Sequence, residues 1–308
     1  MNLKKLHGIL AVLLLSLFVF TACEETEDGP LNPSTSNYPT AVTGLAAGCA
    51  DENTIIFAWD EHNQNAESWF KDFLITIRAE GSIDSTTVVL AKTATEYKFE
   101  NAVEGTIYNF SIVGRNDDNE YRTSSIATIQ WATASQFKKN DNNADIKVYA
   151  STSDFGSGLQ LYNEDGEAPK VWKIASQANW NLGLVTKNNQ VKFGSASALG
   201  YSNLTTCADA EIKSLFNVDV DKLGDVVFEE KPATFTYSKK TIDLLNDPIA
   251  VKATKGVMFF VRTLDKKHYA KILILKKNGS FLQGSGDDQY VQVYVSYQKV
   301  ENVPFAKH

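Results

Sequence analysis

From residue 38 onward the chain is written in short apolar–polar alternations broken by Gly, Asn, Asp and Ser, the pattern of half-buried strands joined by turns. Ile55, Phe57 and Trp59 fall on one face of a run at 54–60, and Phe73, Ile75 and Ile77 share a face of the next. A β-branched run follows at 86–90. Tyr108, Phe110 and Ile112 then line one face of 105–113, and 124–132 supplies a last strand. This predicts a β-sandwich over residues 38–134. The polar, Asn/Asp-rich stretch QFKKNDNNA at 136–144 predicts a linker over 135–145. Strand patterns resume over 146–308: at 146–150, at 159–162 and, after the turn Asn163-Glu164-Asp165-Gly166, at 170–174, with further runs at 179–185 and 191–193. The longest signal is GVMFFVRTLDKKHYAKILIL at 256–275, two β-rich runs meeting at Leu264-Asp265-Lys266-Lys267, a predicted hairpin. The last run, 290–297, sets Tyr290, Gln292, Tyr294 and Ser296 on one face and Val291, Val293, Val295 and Tyr297 on the other. Short helices are predicted at 208–216, with Thr206 as cap and Ile212, Leu215 and Phe216 on one face, and at 241–245. The expected fold class is all-β: an N-terminal sandwich and a mostly antiparallel C-terminal domain with one or two short helices.

Residues 1–22 have a different character. Lys4 and Lys5 precede an apolar run of about a dozen residues, too short to span a bilayer and typical of a signal peptide. Phe20-Thr21-Ala22-Cys23 resembles a lipobox, which makes Cys23 the expected lipidation site and residues 1–22 a cleaved leader. Residues 23–37 read as an acidic, then Pro/Ser-rich tether with nothing to bury. The cluster Glu24-Glu25-Thr26-Glu27-Asp28 is similar to the surface-export signal of Bacteroidota lipoproteins, so the expected location is the outer membrane, facing outward. Loss of Lys4 and Lys5 takes the net charge from −7 to −9. Such an acidic chain, with its lysines scattered, is a poor nucleic-acid binder. Cys49 and Cys207 remain, either as a bridge or as two separate buried thiols.

The first domain resembles a fibronectin type III module through Val42-Thr43-Gly44-Leu45, Trp59, Tyr97-Lys98-Phe99 and Glu104-Gly105-Thr106-Ile107-Tyr108. The resemblance implies a core role for Trp59, and for Tyr108 a hydroxyl that caps a chain corner. No catalytic constellation accompanies it, so the implied role is a spacer or partner-binding module.

The second domain resembles the HmuY-like haem-binding lipoproteins. The hairpin strands Phe259-Phe260-Val261-Arg262-Thr263 and His268-Tyr269-Ala270-Lys271-Ile272 carry the likeness. So do Asn179-Trp180-Asn181-Leu182-Gly183-Leu184, with Asn181 where the pattern has Asp, and the aromatic strand at 290–297. The resemblance implies haem capture at the cell surface and transfer to an outer-membrane receptor. Two axial His or Met side chains would hold the iron, donating through a ring nitrogen or a thioether sulfur. The supply is short. Beyond the leader the His residues are His62, His268 and His308, and the sole Met is Met258. Met258 and His268 are the haem-ligand candidates, yet a hairpin turning at 264–267 separates them by roughly 15–20 Å along the strand. Residues 194–255 offer no His or Met, only Tyr201, Cys207 and Tyr237. The expectation is therefore a ligand-binding relative without paired axial ligation.

A different class of function, glycan binding by an accessory lipoprotein of a polysaccharide-utilisation system, would use Trp172, Tyr162, Tyr201 and Trp69 as stacking platforms. A third is an adhesin or structural surface protein with no small ligand. An enzyme is not expected: there is no G-x-S-x-G, H-E-x-x-H or P-loop. Asp219-x-Asp221 and Asp287-Asp288 lack a full calcium-ligand spacing and read as solvated turns.

Overall fold

The computed structural model describes residues 37–117, 123–173, 180–187, 189–200, 209–213, 219–225, 236–304 and 306–307. Cys23, the leader, nearly all of the tether, Tyr201, Cys207 and His308 lie outside them.

The first sandwich packs two sheets. One contains β1 (Ala46–Cys49), β2 (Ile55–Ala58) and β5 (Glu96–Phe99). The other runs β4-β3-β6-β7, with β3 Phe70–Ala79, β4 Thr86–Ala91, β6 Ile107–Asn116 and β7 Ala127–Ala132. The predicted faces turn inward: Ile55, Phe57, Phe73, Ile75, Phe110 and Ile112 are buried in one cluster with Trp59 and Trp131. Phe57 stacks on Phe110 with ring centres 4.1 Å apart. Trp59 is buried and its indole N–H donates to the Ala94 carbonyl at 2.8 Å. The Tyr108 hydroxyl accepts the Val103 N–H at 2.8 Å, the tyrosine corner of immunoglobulin-like sandwiches. These two contacts and the sheet order give residues 38–134 a fibronectin III-like β-sandwich.

The second sandwich faces a five-stranded sheet against a seven-stranded one. The five-stranded sheet is ordered β11-β10-β12-β13-β15, with β10 Gly158–Asn163, β11 Ala168–Trp172, β12 Leu182–Lys187, β13 Gln190–Ser195 and β15 Thr241–Asp243. The seven-stranded sheet is centred on the hairpin β16 (Gly256–Thr263) and β17 (Tyr269–Leu275) and on β19 (Tyr290–Gln298); β14 (Ala210–Ile212) and β18 (Leu282–Gln283) extend it, and β8 (Ser135–Phe137) and β9 (Lys147–Tyr149) pair with β19. The hairpin is in the predicted register, from Gly256↔Leu275 to Arg262↔Tyr269. Val257, Phe259, Val261, Ile272 and Ile274 enter the core between the sheets, along with Val291, Val293 and Val295.

Three expectations are corrected. Ala210–Ile212 is a strand, not helix, because it completes the free edge of β16, where Glu211 sits opposite Arg262 and pairs with its guanidinium. Thr241–Asp243 is a strand held against β13 by Phe193↔Ile242. Among the described residues the α-helix is instead α1 (Pro248–Lys252), where Asp247 caps the Ile249 and Ala250 amides and proline takes the first turn, whose N–H groups lack helical partners; residues 208 and 214–216 of the expected first helix lie outside the described residues. The stretch 135–145 also contains β8, so it is a structural strand as well as a connection. At the other end β20 (Ala306–Lys307) returns to pair with β1 of the first sandwich.

Candidate functional site

The hairpin turn is built by side chains. Thr263 receives the His268 amide on its hydroxyl at 3.1 Å, and Asp265 receives the Lys267 amide at 2.9 Å in an Asx-type turn. Lys266 takes a positive φ of 62°, which the turn imposes. Partial burial works against ionisation of Asp265, but hydrogen bonds from the Thr263 hydroxyl, the Lys267 amide and His268 outweigh it and bring its pKa down to about 2. An ionised carboxylate only accepts. The His268 Nδ1, 3.1 Å from Asp265 Oδ2, therefore carries a proton, and Nε2 is the ring nitrogen that the carboxylate leaves free.

His268 is paired across from Thr263 on the core-facing side of the sheet and stacks on Tyr297, ring centres 5.8 Å apart. Tyr297 stacks in turn on Tyr162 of the opposing sheet, 5.0 Å apart and nearly parallel. The three rings close one end of the second sandwich. Outside them is a cleft of about 550 Å³ lined by Gln160, Tyr162, Asn181, Thr263, Asp265 and His268, with Leu264 at the rim. Its polar inventory is specific. Gln160 accepts the Trp172 indole N–H at 2.8 Å, which orients its amide and leaves the NH₂ uncommitted. Burial, then the nearby Asp265 and Glu164 carboxylates, push the Tyr297 phenol well above its ordinary pKa, so it stays a donor. The cleft thus offers the free Nε2 of His268, the Tyr297 hydroxyl, which can donate or accept, the Gln160 NH₂ as a donor and the Asp265 carboxylate as an acceptor.

Asn181, the departure from the Trp-Asp pattern, has a local reason. Its buried amide accepts the Leu161 N–H at 2.9 Å and donates to the Asp209 carbonyl at 3.2 Å. An ionised Asp could accept but not donate, so the Asp209 carbonyl would lose its partner. The preceding Trp180 lies against Gly158 and Gly183, which are paired across β10 and β12; a Cβ on Gly158 would come within 2.7 Å of the indole.

The two haem-ligand candidates are not brought together. Met258 projects from the other face of β16 into a fully buried aliphatic cluster with Val220, Leu223, Leu273 and Leu275. His268 and Met258 thus lie on opposite faces of one sheet as well as at opposite ends of a strand. Of the glycan candidates, Tyr162 lines the cleft and Trp172 braces it through Gln160, with Lys170 Nζ 4.4 Å over its ring. Trp69 packs against the first sandwich's core, edge-on to Phe70, and lines no cavity with them. His62 is buried there, stacked on Phe70 at 4.4 Å. Residues 160, 181 and 297 carried no sequence signal of a shared site; the facing of two sheets joins them. Among the described residues no group of three or more His, Cys, Asp or Glu could hold a metal ion. Asp219 is occupied by the Thr254 hydroxyl and the Thr254 and Lys255 amides. Cys49 is a free buried thiol.

No protein-family model matches the chain, and no curated protein does. Among solved structures it is similar to a fibronectin III domain of human collagen alpha-1(XX), with 12% identity over 33% of this chain and 92% of that one and a TM-score of 0.28. It is likewise similar to the third fibronectin III domain of human KIAA0343 protein (11% identity, 34% and 91% covered, TM-score 0.29) and to the FN1–FN3 domains of chicken CNTN1 (18% identity, 31% and 32% covered, TM-score 0.27).

Proposed function

We propose that this is a lipid-anchored ligand-binding protein of the outer cell surface, with no enzymatic role, and that its second sandwich binds a carbohydrate unit in the cleft at the hairpin turn. One observation carries the reading: His268 Nε2, the Tyr297 hydroxyl and the Gln160 amide stand uncommitted around stacked aromatic rings at an open cleft. Sugars present adjacent hydroxyls that donate and accept, together with an apolar ring face, and this set answers both. In this reading Cys23 holds the chain in the outer membrane, residues 23–37 are the tether, and the fibronectin III-like sandwich is the spacer. The test is a glycan array followed by calorimetric titration of the best binder. Binding that falls at least tenfold in both His268→Ala and Tyr297→Phe supports the cleft. Binding indifferent to both refutes it.

A second reading, haem in the manner of the HmuY-like lipoproteins, is favoured by the Asp265–His268 pair. A carboxylate on Nδ1 that leaves Nε2 free is how metal-ligating histidines are commonly oriented. Among the described residues it finds no second axial ligand: Met258 faces the other way and His62 is buried in the first sandwich. Addition of haemin separates the two: a sharp low-spin six-coordinate Soret spectrum, lost in His268→Ala, establishes the haem reading against the glycan one.

A further inference from the structure

A second surface is distinct from the cleft and lies on the outer face of β9 and β19. Val148, Val291 and Val293 point into the core, so the alternate residues Lys147, Tyr149, Tyr290 and Tyr294 face outward. Half of this outer face is covered. Ser296 and Gln298 are buried, and the Gln298 amide donates to the Ala132 carbonyl of the first sandwich at 3.2 Å. The other half is open and carries aromatic rings in a row. Phe155, 63% exposed, lies 5.1 Å from Tyr149, which lies 5.4 Å from its cross-strand partner Tyr290.

Lysines run along this row. Lys147 Nζ sits 4.6 Å over the Tyr290 ring, Lys138 Nζ is 5.7 Å from the Tyr294 ring, and Lys277 donates to Gln292 at 2.6 Å. Among the described residues none of these three has a carboxylate within ion-pair distance. Asp145, which feels the charges of Lys147 and Lys277, is already paired with Lys139 at 2.6 Å. Asp288 accepts the Ser153 hydroxyl, and Asp154 pairs with Lys173. On a chain of net charge −7, a partly exposed aromatic row with three ammonium groups outside any ion pair, against the two carboxylates Asp287 and Asp288 at its Tyr290 end, is a local excess of positive charge.

From this we infer that the β9–β19 face is a binding strip for an acidic polysaccharide chain, with sugar rings stacking on Phe155, Tyr149 and Tyr290 and carboxylate or sulfate groups meeting Lys147, Lys277 and Lys138. Charge complementarity selects an anion, and the aromatic row selects one with ring faces to stack. A nucleic acid also has both, but its charge of one per about 1.7 Å of duplex is repelled by the acidic remainder of the chain far more than a glycan with one charge per sugar or fewer. The strip is argued from groups none of which line the cleft, so it stands or falls separately.

The test is affinity electrophoresis of the purified full-length protein in gels containing polygalacturonate or, in parallel, neutral dextran. Expected are retardation by polygalacturonate alone, weakening with salt, and a roughly tenfold or greater loss of affinity in Phe155→Ala/Lys147→Ala, as the removal of one stacking ring and one charge implies. Phe155 is exposed, and an unchanged melting temperature shows that the variant is folded. Lys277→Ala/Lys138→Ala, which leaves every ring in place, provides an independent check by the same loss. No retardation, or retardation unaltered in both variants, overturns the proposal. So does retardation lost in His268→Ala but kept in Phe155→Ala/Lys147→Ala, which would put the anionic chain in the cleft. Tighter binding to oligothymidylate than to polygalacturonate overturns it in favour of nucleic acid.

Discussion

Replacing Met258 by alanine is expected to destabilise the protein without touching its ligand chemistry. The side chain is fully buried among Val220, Leu223, Leu273 and Leu275, with Tyr294 packed beside them. Truncation removes the thioether arm and leaves a void between the hairpin and the 219–225 segment. That segment and the start of β16 hold their backbones through other contacts, among them Asp219 on the Thr254 and Lys255 amides, so collapse into the void is limited. Buried Met→Ala changes cost about 2–5 kcal/mol. For a chain of this length each kcal/mol moves the melting temperature by roughly 2 °C, giving a fall of roughly 4–10 °C. Met258→Leu conserves volume and is expected to cost less than about 1.5 kcal/mol. The assay is a thermal melt of both variants with a haemin titration of Met258→Leu, which stays folded but has no sulfur. A Met258→Ala protein melting within about a degree of the parent refutes the packing argument. A haemin spectrum altered in Met258→Leu at unchanged stability would show that the sulfur reaches a ligand, contrary to its placement.

Other expectations follow from the same contacts. Tyr108→Phe removes the acceptor of the Val103 amide at a partly exposed corner and should cost about 0.5–1.5 kcal/mol, read by denaturant melts. Gly158→Ala drives a methyl into Trp180 and should lower stability, with a change in indole fluorescence, whereas Gly279→Ala meets no atom within 4 Å and should cost stability through its φ of +76° alone, with the fluorescence unchanged. Cys49, whose thiol burial pushes up to about 12 against the opposing charge of Lys271, should resist iodoacetamide at pH 8 in a Cys23→Ser/Cys207→Ser background until the protein is unfolded. Asp219 and Asp265 tie the two ends of the hairpin, and both carboxyls are lowered from 3.8 to about 2. A depressed folded pKa stabilises above the unfolded value, so their contribution is complete above about pH 4 and is lost as pH falls through about 2. Asp219→Asn/Asp265→Asn should flatten the melting-temperature profile over that window, and an unchanged profile contradicts the assignment.

The strands that alternate over five or more residues were legible because period two reports a half-buried surface directly. β3, β6 and β19 fall where the pattern puts them, and β16 and β17 were legible instead as two β-rich apolar runs meeting at a polar turn. What failed is of another kind. β14 and β15 are three residues each, too short for a period to distinguish from a helical turn, and their conformation is decided by partners fifty residues away in the chain. β8 hides in a polar linker because only its pairing with β19 makes it a strand. The cleft was half visible: Tyr162 and His268 stood out, but for different ligands, and nothing in the sequence shows that β10 of one sheet and the hairpin turn of the other meet across Tyr297. Gln160 carries no signal until Trp172 orients it.

The hairpin explains why the two sandwiches need not hinge. A strand pair with one wet face would alternate apolar and polar residues, yet 256–261 and 270–275 are apolar almost throughout and buried on both faces. Its second face packs Phe260 against Cys49 and Ala134 of the first sandwich and its connection. The exception, Lys271, is buried there, with Nζ donating to the Leu223 carbonyl at 2.9 Å and to the Cys49 carbonyl at 3.3 Å. An ammonium group leaves water only where carbonyls replace its hydration, so the lysine selects one docking of β1 against the hairpin and disfavours any slipped alternative. β8 on β19, β20 on β1 and the Glu104–Lys299 ion pair at 2.6 Å add independent crossings of the same junction. Residues 38–308 accordingly form one compact unit, in which the first sandwich fixes where the cleft and the β9–β19 face point.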